Sequence, residues 1–365
     1  MTSPVLVAAG GTGGHMFPAL ALCRELQRRG REVAVLTDAR GARYVGPGLE
    51  RHIVPAGSPS GPLGQRLRAA ASLAKGLVES LTIFRQLRPA AAAAFGGYAS
   101  VPAALAARLS RVPLLVHEQN AVFGRANRLV ARFARVVALS FADTAAVPDL
   151  SAGTRRLVTG NPVRPDFAAD ARAYAGSGAD DAFRLLVMGG SQGARVFSDV
   201  LPAAVALLSP ELRGRLRLGQ QCRPEDLERA RDAYAALGLA PELAPFFADV
   251  PARMAQAHLL VTRSGASTVA ELLLLGRPSI LVPYPHAADD HQRANAERLA
   301  GTGAARLVAH ADFTPERLAG ILAELMVAPD ALAAMAGRAR ALANPDAAAA
   351  LADAVLEIAE GGARR

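Results

Sequence analysis

Four glycine-rich turns carry most of the chemistry visible in this 365-residue sequence: Gly10-Gly11-Thr12-Gly13-Gly14-His15, Gly96-Gly97-Tyr98-Ala99-Ser100, Gly189-Gly190-Ser191-Gln192-Gly193 and Arg263-Ser264-Gly265-Ala266-Ser267-Thr268. Each follows a short apolar run and opens a helical pattern. Such a turn lets backbone approach a ligand closely. It also aims N–H groups and the positive end of a helix at an anion, most often a phosphate. The fourth turn adds a carboxylate, because Glu271 lies one helical turn beyond Ser267 on the same face. A phosphate at the helix start, with the hydroxyls of an attached ribose at Glu271, describes a nucleoside diphosphate.

Two common phosphate-binding patterns fail. A G-x-G-x-x-G fingerprint started at Gly11 ends on Met16, so Asp38 reads as a loop residue and not as the ribose acid of a dinucleotide site. A P-loop needs Gly-Lys-Ser/Thr, and the only lysine, Lys75, lies in none of these turns. Asp289-Asp290 lacks the spacing of a D-x-D triplet, and the histidines of His286–His291 are irregularly spaced for metal ligation. Neither a metal nor an organic cofactor is expected.

The elements that must hold these turns alternate. Strands are expected at Val5–Ala9, Val33–Thr37, Ala91–Phe95 and Leu114–His117, with helices at Pro18–Arg29, Leu67–Leu87 and Val101–Leu109. The pattern then restarts with strands at Arg184–Met188, Leu259–Thr262 and Ser279–Val282 and a helix at Ser267–Leu275. Short strands between helices imply βαβ units with parallel sheets. The restart implies two Rossmann-like domains of an α/β protein, joined near Gly160-Asn161-Pro162-Val163-Arg164-Pro165. We place the first at residues 1–162 and the second at 163–342, with a C-terminal helix, about 343–365, crossing back to the first.

Composition bounds the partners. Apolar residues make up 51% and charged residues 20%, enough to bury two cores. The formal charge is +9, from 41 basic and 32 acidic residues, which permits an anionic partner. With no tryptophan and 5% aromatics, the chain is poorly equipped to stack single-stranded nucleic acid. Two distant cysteines, Cys23 and Cys222, exclude a disulfide scaffold and suit a reducing cytosol. The N-terminus reads as a first strand and not as a signal peptide, and no apolar run reaches membrane-spanning length.

At this point the residues match a known pattern over nearly the whole chain. The motifs are the first glycine turn through His15, Phe95-Gly96-Gly97-Tyr98 with Ser100 and Pro102, His117-Glu118-Gln119-Asn120, and Gly160-Asn161-Pro162-Val163-Arg164. They continue with Gly189–Ala194, then Arg263–Ala266 with Thr268 and Glu271, then Asp290-His291-Gln292 with Asn295-Ala296. Each is modest alone; together and in order they are specific. The sequence resembles the MurG family of N-acetylglucosaminyltransferases. The resemblance implies a GT-B fold, two Rossmann-like domains whose parallel sheets face a cleft. It implies inverting transfer of GlcNAc from UDP-GlcNAc to the C4 hydroxyl of MurNAc in undecaprenyl-pyrophosphoryl-MurNAc-pentapeptide (lipid I), giving lipid II of peptidoglycan. It further implies a peripheral enzyme on the cytoplasmic face of the inner membrane, with anionic lipid and cell-wall synthesis proteins as partners.

Carried over by motif, Arg164, Ser191 and Phe247 would line the donor site, Phe247 through its backbone at the uracil. Ala266, Ser267, Thr268, Val269, Ala270 and Glu271 would line it too, with the ribose at Glu271, and either Gln292 or its neighbour His291 would be a further donor contact. Thr12, Gly13, Gly14 and Asn120 would face the sugar from the N-terminal side, and Gly96, Gly97, Tyr98 and Ser100 would meet the acceptor pyrophosphate. Inversion needs a base for the acceptor hydroxyl and stabilisation of the leaving diphosphate. His15, at a helix start that favours the neutral imidazole, is the first candidate base and Glu118 the second. For the membrane, Leu63–Arg88 sets Leu67, Leu73, Leu77, Leu81 and Phe84 at near-helical spacing beside Arg66, Arg68, Lys75, Arg85 and Arg88. That pattern serves either a lipid-facing surface or a helix packed on the sheet. Two other readings stand beside the main one. One is a different GT-B UDP-sugar transferase with a lipid acceptor. The other is a non-catalytic nucleotide- or nucleic-acid-binding protein, although no nucleic-acid motif supports such a partner.

Overall fold

The structure, a computed structural model, describes residues 3–58, 62–176, 178, 181–190 and 193–363. The chain divides into two compact units, residues 1–164 with 344–365 and residues 165–343.

The first unit is built on a seven-stranded sheet. Its strands are β1 (Val5–Ala8), β2 (Val33–Thr37), β3 (Glu50–Ile53), β4 (Ala91–Ala94), β5 (Leu114–Glu118), β6 (Val136–Leu139) and β7 (Arg155–Val158), in the order β3-β2-β1-β4-β5-β6-β7. Every pairing is parallel, with Val5 beside both Val33 and Ala91. Such a sheet is covered on both faces, so its central strands read as unbroken apolar runs. On one face, the helix Gly13–Arg28 and the C-terminal helix Ala347–Ala363 bury Leu22, Leu26, Leu351 and Val355. On the other, helices Leu63–Leu87, Ser100–Leu109 and Arg125–Ala131 cover Leu6, Ala92 and Val116. Strand β4 is four alanines, which have weak strand propensity; burial between helices on both faces overrides it.

The second unit holds a six-stranded parallel sheet. Its strands are β8 (Phe183–Met188), β9 (Leu216–Gln221), β10 (Glu242–Ala244), β11 (Leu259–Thr262), β12 (Ser279–Leu281) and β13 (Ala305–Leu307), in the order β10-β9-β8-β11-β12-β13. The two orders share one property. Strand order reverses between β1 and β4 in the first sheet and between β8 and β11 in the second. In open parallel sheets the carboxyl ends of strands flanking such a reversal are where ligands bind. All four glycine-rich turns lie there, because Gly10, Gly96, Gly189 and Arg263 directly follow or closely follow β1, β4, β8 and β11.

Several strands carry no clear sequence signal. β3 and β7 read Glu-Arg-His-Ile and Arg-Arg-Leu-Val and lie at the two edges of the first sheet, largely exposed. Charged edge strands discourage pairing with another chain, which removes the apolar alternation that would reveal them. The first helix begins at Gly13, five residues before the expected start, because the glycines of the turn already adopt helical geometry. No single helix among the described residues is long and apolar enough to cross a membrane.

Candidate active site

In the first unit, Gly11 has a φ of +75°, and its N–H donates to Asp38 Oδ1 at 3.1 Å. The same oxygen accepts from Gly41 N–H at 2.8 Å, and Arg40 pairs with Oδ2. Asp38 is therefore the post that fixes the first glycine turn, and the left-handed backbone at Gly11 is what makes that bond geometrically available. Thr12 precedes the helix Gly13–Arg28 without making a side-chain cap. Its hydroxyl lies 3.2 Å from His15 Nδ1, which also lies 3.2 Å from the carbonyl of Gly10. A carbonyl only accepts, so the contact with Gly10 is met by a proton on Nδ1.

The second glycine turn closes against the first. A side chain at Gly10 would collide with Ala99 Cβ at 2.5 Å, and one at Gly97 with the carbonyl of Gly10 at 2.8 Å. A side chain at Gly96 would press against both His15 Cδ2, at 3.2 Å, and the Asn127 amide, at 3.3 Å. Ser100 is buried and donates its hydroxyl to Gly97 O at 2.8 Å, so it shapes the turn from within. Tyr98 packs partly against the core under the Ser100–Leu109 helix.

Glu118 ends β5 with both oxygens engaged. Oε1 accepts from the N–H and side-chain amide of Asn120 at 3.0 and 3.2 Å, and Oε2 from Gly124 N–H and Asn127 Nδ2, both at 2.8 Å. The neighbouring His117 is fully buried, with Nε2 3.0 Å from the carbonyl of Gly160. Burial pushes its pKa down to about 4, only partly opposed by that hydrogen bond. Arg164 closes the unit, with its guanidinium 4.8 Å from the ring centroid of Phe17 on the first helix.

In the second unit, Ser191 and Gln192 lie outside the described residues. Around them, Gly190 and Gly193 have left-handed φ angles, and Gly189 N–H donates to Gln221 Oε1 at 3.1 Å. The other end of that amide donates to Pro245 O at 3.1 Å, so Gln221 ties the turn to the loop carrying Phe247. Phe247 is buried beneath the Arg253 guanidinium, 4.3 Å from the ring centroid. Arg253 is itself held by Glu242 and Asp249.

The helix Ala266–Leu275 starts after Gly265 with no side-chain cap and no acidic residue in its first turn. The Ser267 hydroxyl is buried without a hydrogen-bond partner. Thr268 is half-buried, and Glu271 is 6% exposed one turn along. Val269 is buried in the unit's interior and Ala270 half-buried, so both supply helix backbone and packing. A helix start without a side-chain cap, an unused hydroxyl and a buried carboxylate at one switch point suit a diphosphate attached to a diol.

Gln292 and His291 separate clearly. His291 Nδ1 lies 2.7 Å from Ala288 O, closing a turn at its own helix start. The Gln292 side chain accepts Tyr284 N–H at 3.0 Å, and its carbonyl accepts the Ser264 hydroxyl at 2.7 Å. The buried Asn295 side chain donates to Ser264 O at 3.0 Å. Arg263 and Tyr284, absent from the expected site residues, thus support the residues around Gln292. The Arg-Ser-Gly-Ala motif contained Arg263, but no spacing rule links it to Tyr284. Among the described residues, no group of three or more His, Cys, Asp or Glu side chains is placed to hold a metal ion.

Comparison with known proteins places this geometry. Residues 5–139 match the glycosyltransferase family 28 N-terminal domain, and residues 184–351 match the glycosyltransferase family 28 C-terminal domain. A UDP-N-acetylglucosamine–N-acetylmuramyl-(pentapeptide) pyrophosphoryl-undecaprenol N-acetylglucosamine transferase of Granulibacter bethesdensis is 50% identical, over 96% of this chain and 93% of that protein. The enzyme of the same name from Paramagnetospirillum magneticum is 51% identical, over 96% of each. The crystal structure of Acinetobacter baumannii MurG superposes with a TM-score of 0.78 at 31% identity, covering 97% of this chain and 99% of that one. The two parallel α/β units are those of the GT-B class, and the chain belongs to glycosyltransferase family 28, within it to the MurG family.

Proposed function

We propose that the protein transfers GlcNAc from UDP-GlcNAc to the C4 hydroxyl of MurNAc in undecaprenyl-pyrophosphoryl-MurNAc-pentapeptide, with inversion at the sugar C1. The observation that carries the donor assignment is the start of the Ala266–Leu275 helix, which has no side-chain cap, an unpartnered Ser267 hydroxyl and Glu271 one turn on. The near-full-length identity to transferases of that name supports this sugar and this acceptor.

Each part of the reaction then has a residue. His15 Nε2 removes the proton from the attacking hydroxyl, while Nδ1–H stays on Gly10 O and holds the tautomer. Glu118 is fully occupied by Asn120, Gly124 and Asn127, so it orients Asn120 toward the sugar and leaves proton transfer to His15. Thr12, Gly13 and Gly14 present backbone to the sugar, and Gly96, Gly97, Tyr98 and Ser100 shape the turn that receives the acceptor pyrophosphate. The leaving diphosphate is stabilised by the N–H groups of Ala266–Thr268, by Ser191 and by Arg164. Glu271 accepts from the ribose, the backbone of Phe247 meets the uracil, and Gln292 meets the sugar.

The acceptor is a lipid, so the protein works at a membrane surface. Of the helix Leu63–Leu87, Leu77, Leu81 and Phe84 pack on the core, whereas Leu63, Leu67 and Val78 are exposed at 73%, 63% and 65%. The exposed leucines share the first turns with Arg66 and Arg68, and Lys75 stands beside Val78. We assign the lipid contact to that end, on the cytoplasmic face. The decisive experiment is a transfer assay with UDP-GlcNAc and a short-chain lipid I analogue, with chelator present. UDP should appear only when both substrates are present; release without acceptor, or none with both, overturns the assignment.

A further inference from the structure

Arg263 is 8% exposed and has no carboxylate partner among the described residues. Its guanidinium lies over two aromatic rings, with Cζ 5.3 Å from the Phe197 centroid and 5.6 Å from that of Tyr284. One nitrogen, Nη1, donates to two successive carbonyls, Val282 O at 3.0 Å and Pro283 O at 2.8 Å. The same nitrogen is 3.4 Å from His310 Nδ1. Desolvation pushes the guanidinium pKa below its ordinary value, and burial together with the neighbouring Arg263 lowers that of His310. A charged Arg263 and a neutral, accepting His310 are mutually consistent.

A buried cation without a counter-ion is costly, so its neighbours are informative. Here the compensation is backbone. Where β12 ends, the chain turns through Val282-Pro283-Tyr284. The carbonyls of Val282 and Pro283 face the guanidinium, and the next N–H, that of Tyr284, donates to Gln292 Oε1. A backbone N–H can only donate, so it selects the oxygen of the Gln292 amide and leaves the NH2 on the other side. Ser264, next to Arg263, holds the Gln292 carbonyl and accepts from Asn295. The segment that leads into the phosphate-binding helix therefore grips the Gln292 turn from both ends.

We propose that Arg263 is a positioning residue for Gln292: by fixing the Val282–Tyr284 backbone it locks the Gln292 side chain with its NH2 presented to an acceptor oxygen on the sugar of the nucleotide donor. This rests on the reading of Gln292 as a donor-sugar contact and adds its polarity. Gln292 serves as a hydrogen-bond donor, so the sugar must offer a hydroxyl or carbonyl oxygen there.

The test is calorimetric binding of UDP and of UDP-GlcNAc to the full chain. Arg263→Met and Gln292→Ala should each weaken UDP-GlcNAc binding about tenfold, the scale of one lost hydrogen bond, and change UDP affinity less than about twofold. The double variant should be no weaker than the worse single one, because both changes remove the same contact. Gln292→Glu can still accept Tyr284 N–H but presents an oxygen to the sugar, so it should lose at least as much as Gln292→Ala. If Arg263→Met does not give folded protein, Arg263→Lys is read in the same cycle, with an expected loss of about threefold. Equal weakening of UDP and UDP-GlcNAc, additive losses in the double variant, or wild-type affinity in the Arg263 variants while Gln292→Ala binds weakly would each overturn the positioning role alone. Wild-type affinity in Gln292→Ala would remove the sugar contact and the proposal with it. No UDP-GlcNAc binding by the unsubstituted chain would sink the donor assignment itself.

Discussion

His15 lies where the first two glycine turns meet a helix start, with its Nδ1 beside the carbonyl of Gly10. His15→Ala should therefore lower kcat by about 10²–10⁴-fold while donor KM changes little, because a base acts in the transition state and not in donor binding. Steady-state kinetics decides it, and an unchanged kcat ends the base role. His117 makes a different prediction. Its folded pKa of about 4 is below the unfolded value of 6.5, so the folded state resists protonation. The stability this contributes is complete above about pH 6.5 and is lost as pH falls toward 4, roughly 3 kcal/mol in all. Denaturant titrations at pH 7 and pH 4.5 should show a larger loss for the wild type than for His117→Asn; equal losses would exclude this linkage. The sequence placed both histidines in motifs and singled out His15 as a base, but it gave no sign that His117 is buried. Burial and a hydrogen bond to Gly160 separate a structural imidazole from a half-exposed one, and neither is encoded locally. The engagement of all the Glu118 contacts was likewise invisible, since Gly124 and Asn127 reach it from a turn whose path is fixed by backbone contacts with Ala145.

At the scale of elements, the glycine turns were legible because strand, turn and helix follow one another within a dozen residues. What was not legible was which side of a long helix faces inward. The stripe Leu67, Leu73, Leu77, Leu81 and Phe84 contains both a core face and an exposed end, and composition is the same along it. Tertiary contact divides it. Gly76 sits where a side chain would strike Pro55 O at 2.3 Å, so the helix middle is pressed onto the unit and its first turns stand clear. Leu67→Glu should then leave folding unchanged, since an exposed substitution away from packing costs within about 0.5 kcal/mol. It should abolish flotation with anionic vesicles by placing a like charge against the lipid headgroups. Retained flotation would move the membrane contact elsewhere, whereas a lowered melting temperature would show that Leu67 packs.

At the scale of the molecule, the last helix belongs to the first unit although it follows the second in sequence. Ala347–Ala363 buries Leu351, Ala352 and Val355 against the first helix and the sheet. Its polar face is fastened by Arg29 to Asp353, by Arg31 to Glu360 and by Arg155 to Glu357. The ion pairs are exposed and contribute little. The apolar contacts are worth about 1.5–3 kcal/mol for each of Leu351 and Val355, and Ala352 adds to them. A chain ending at Ala343 therefore loses roughly 4–6 kcal/mol from the first unit, a large share of the roughly 5–15 kcal/mol that stabilises a typical domain. The second unit closes its own core without that helix. Truncation should thus leave residues 165–343 protected from hydrogen exchange while protection of β1 and β4 collapses. UDP affinity should fall by no more than about tenfold, the scale of the one Arg164 contact, because the helix start at Ala266, Glu271 and the loop of Phe247 all lie in the second unit. If UDP binding vanished while the second unit kept its exchange protection, the nucleotide site would need residues of the first unit beyond Arg164.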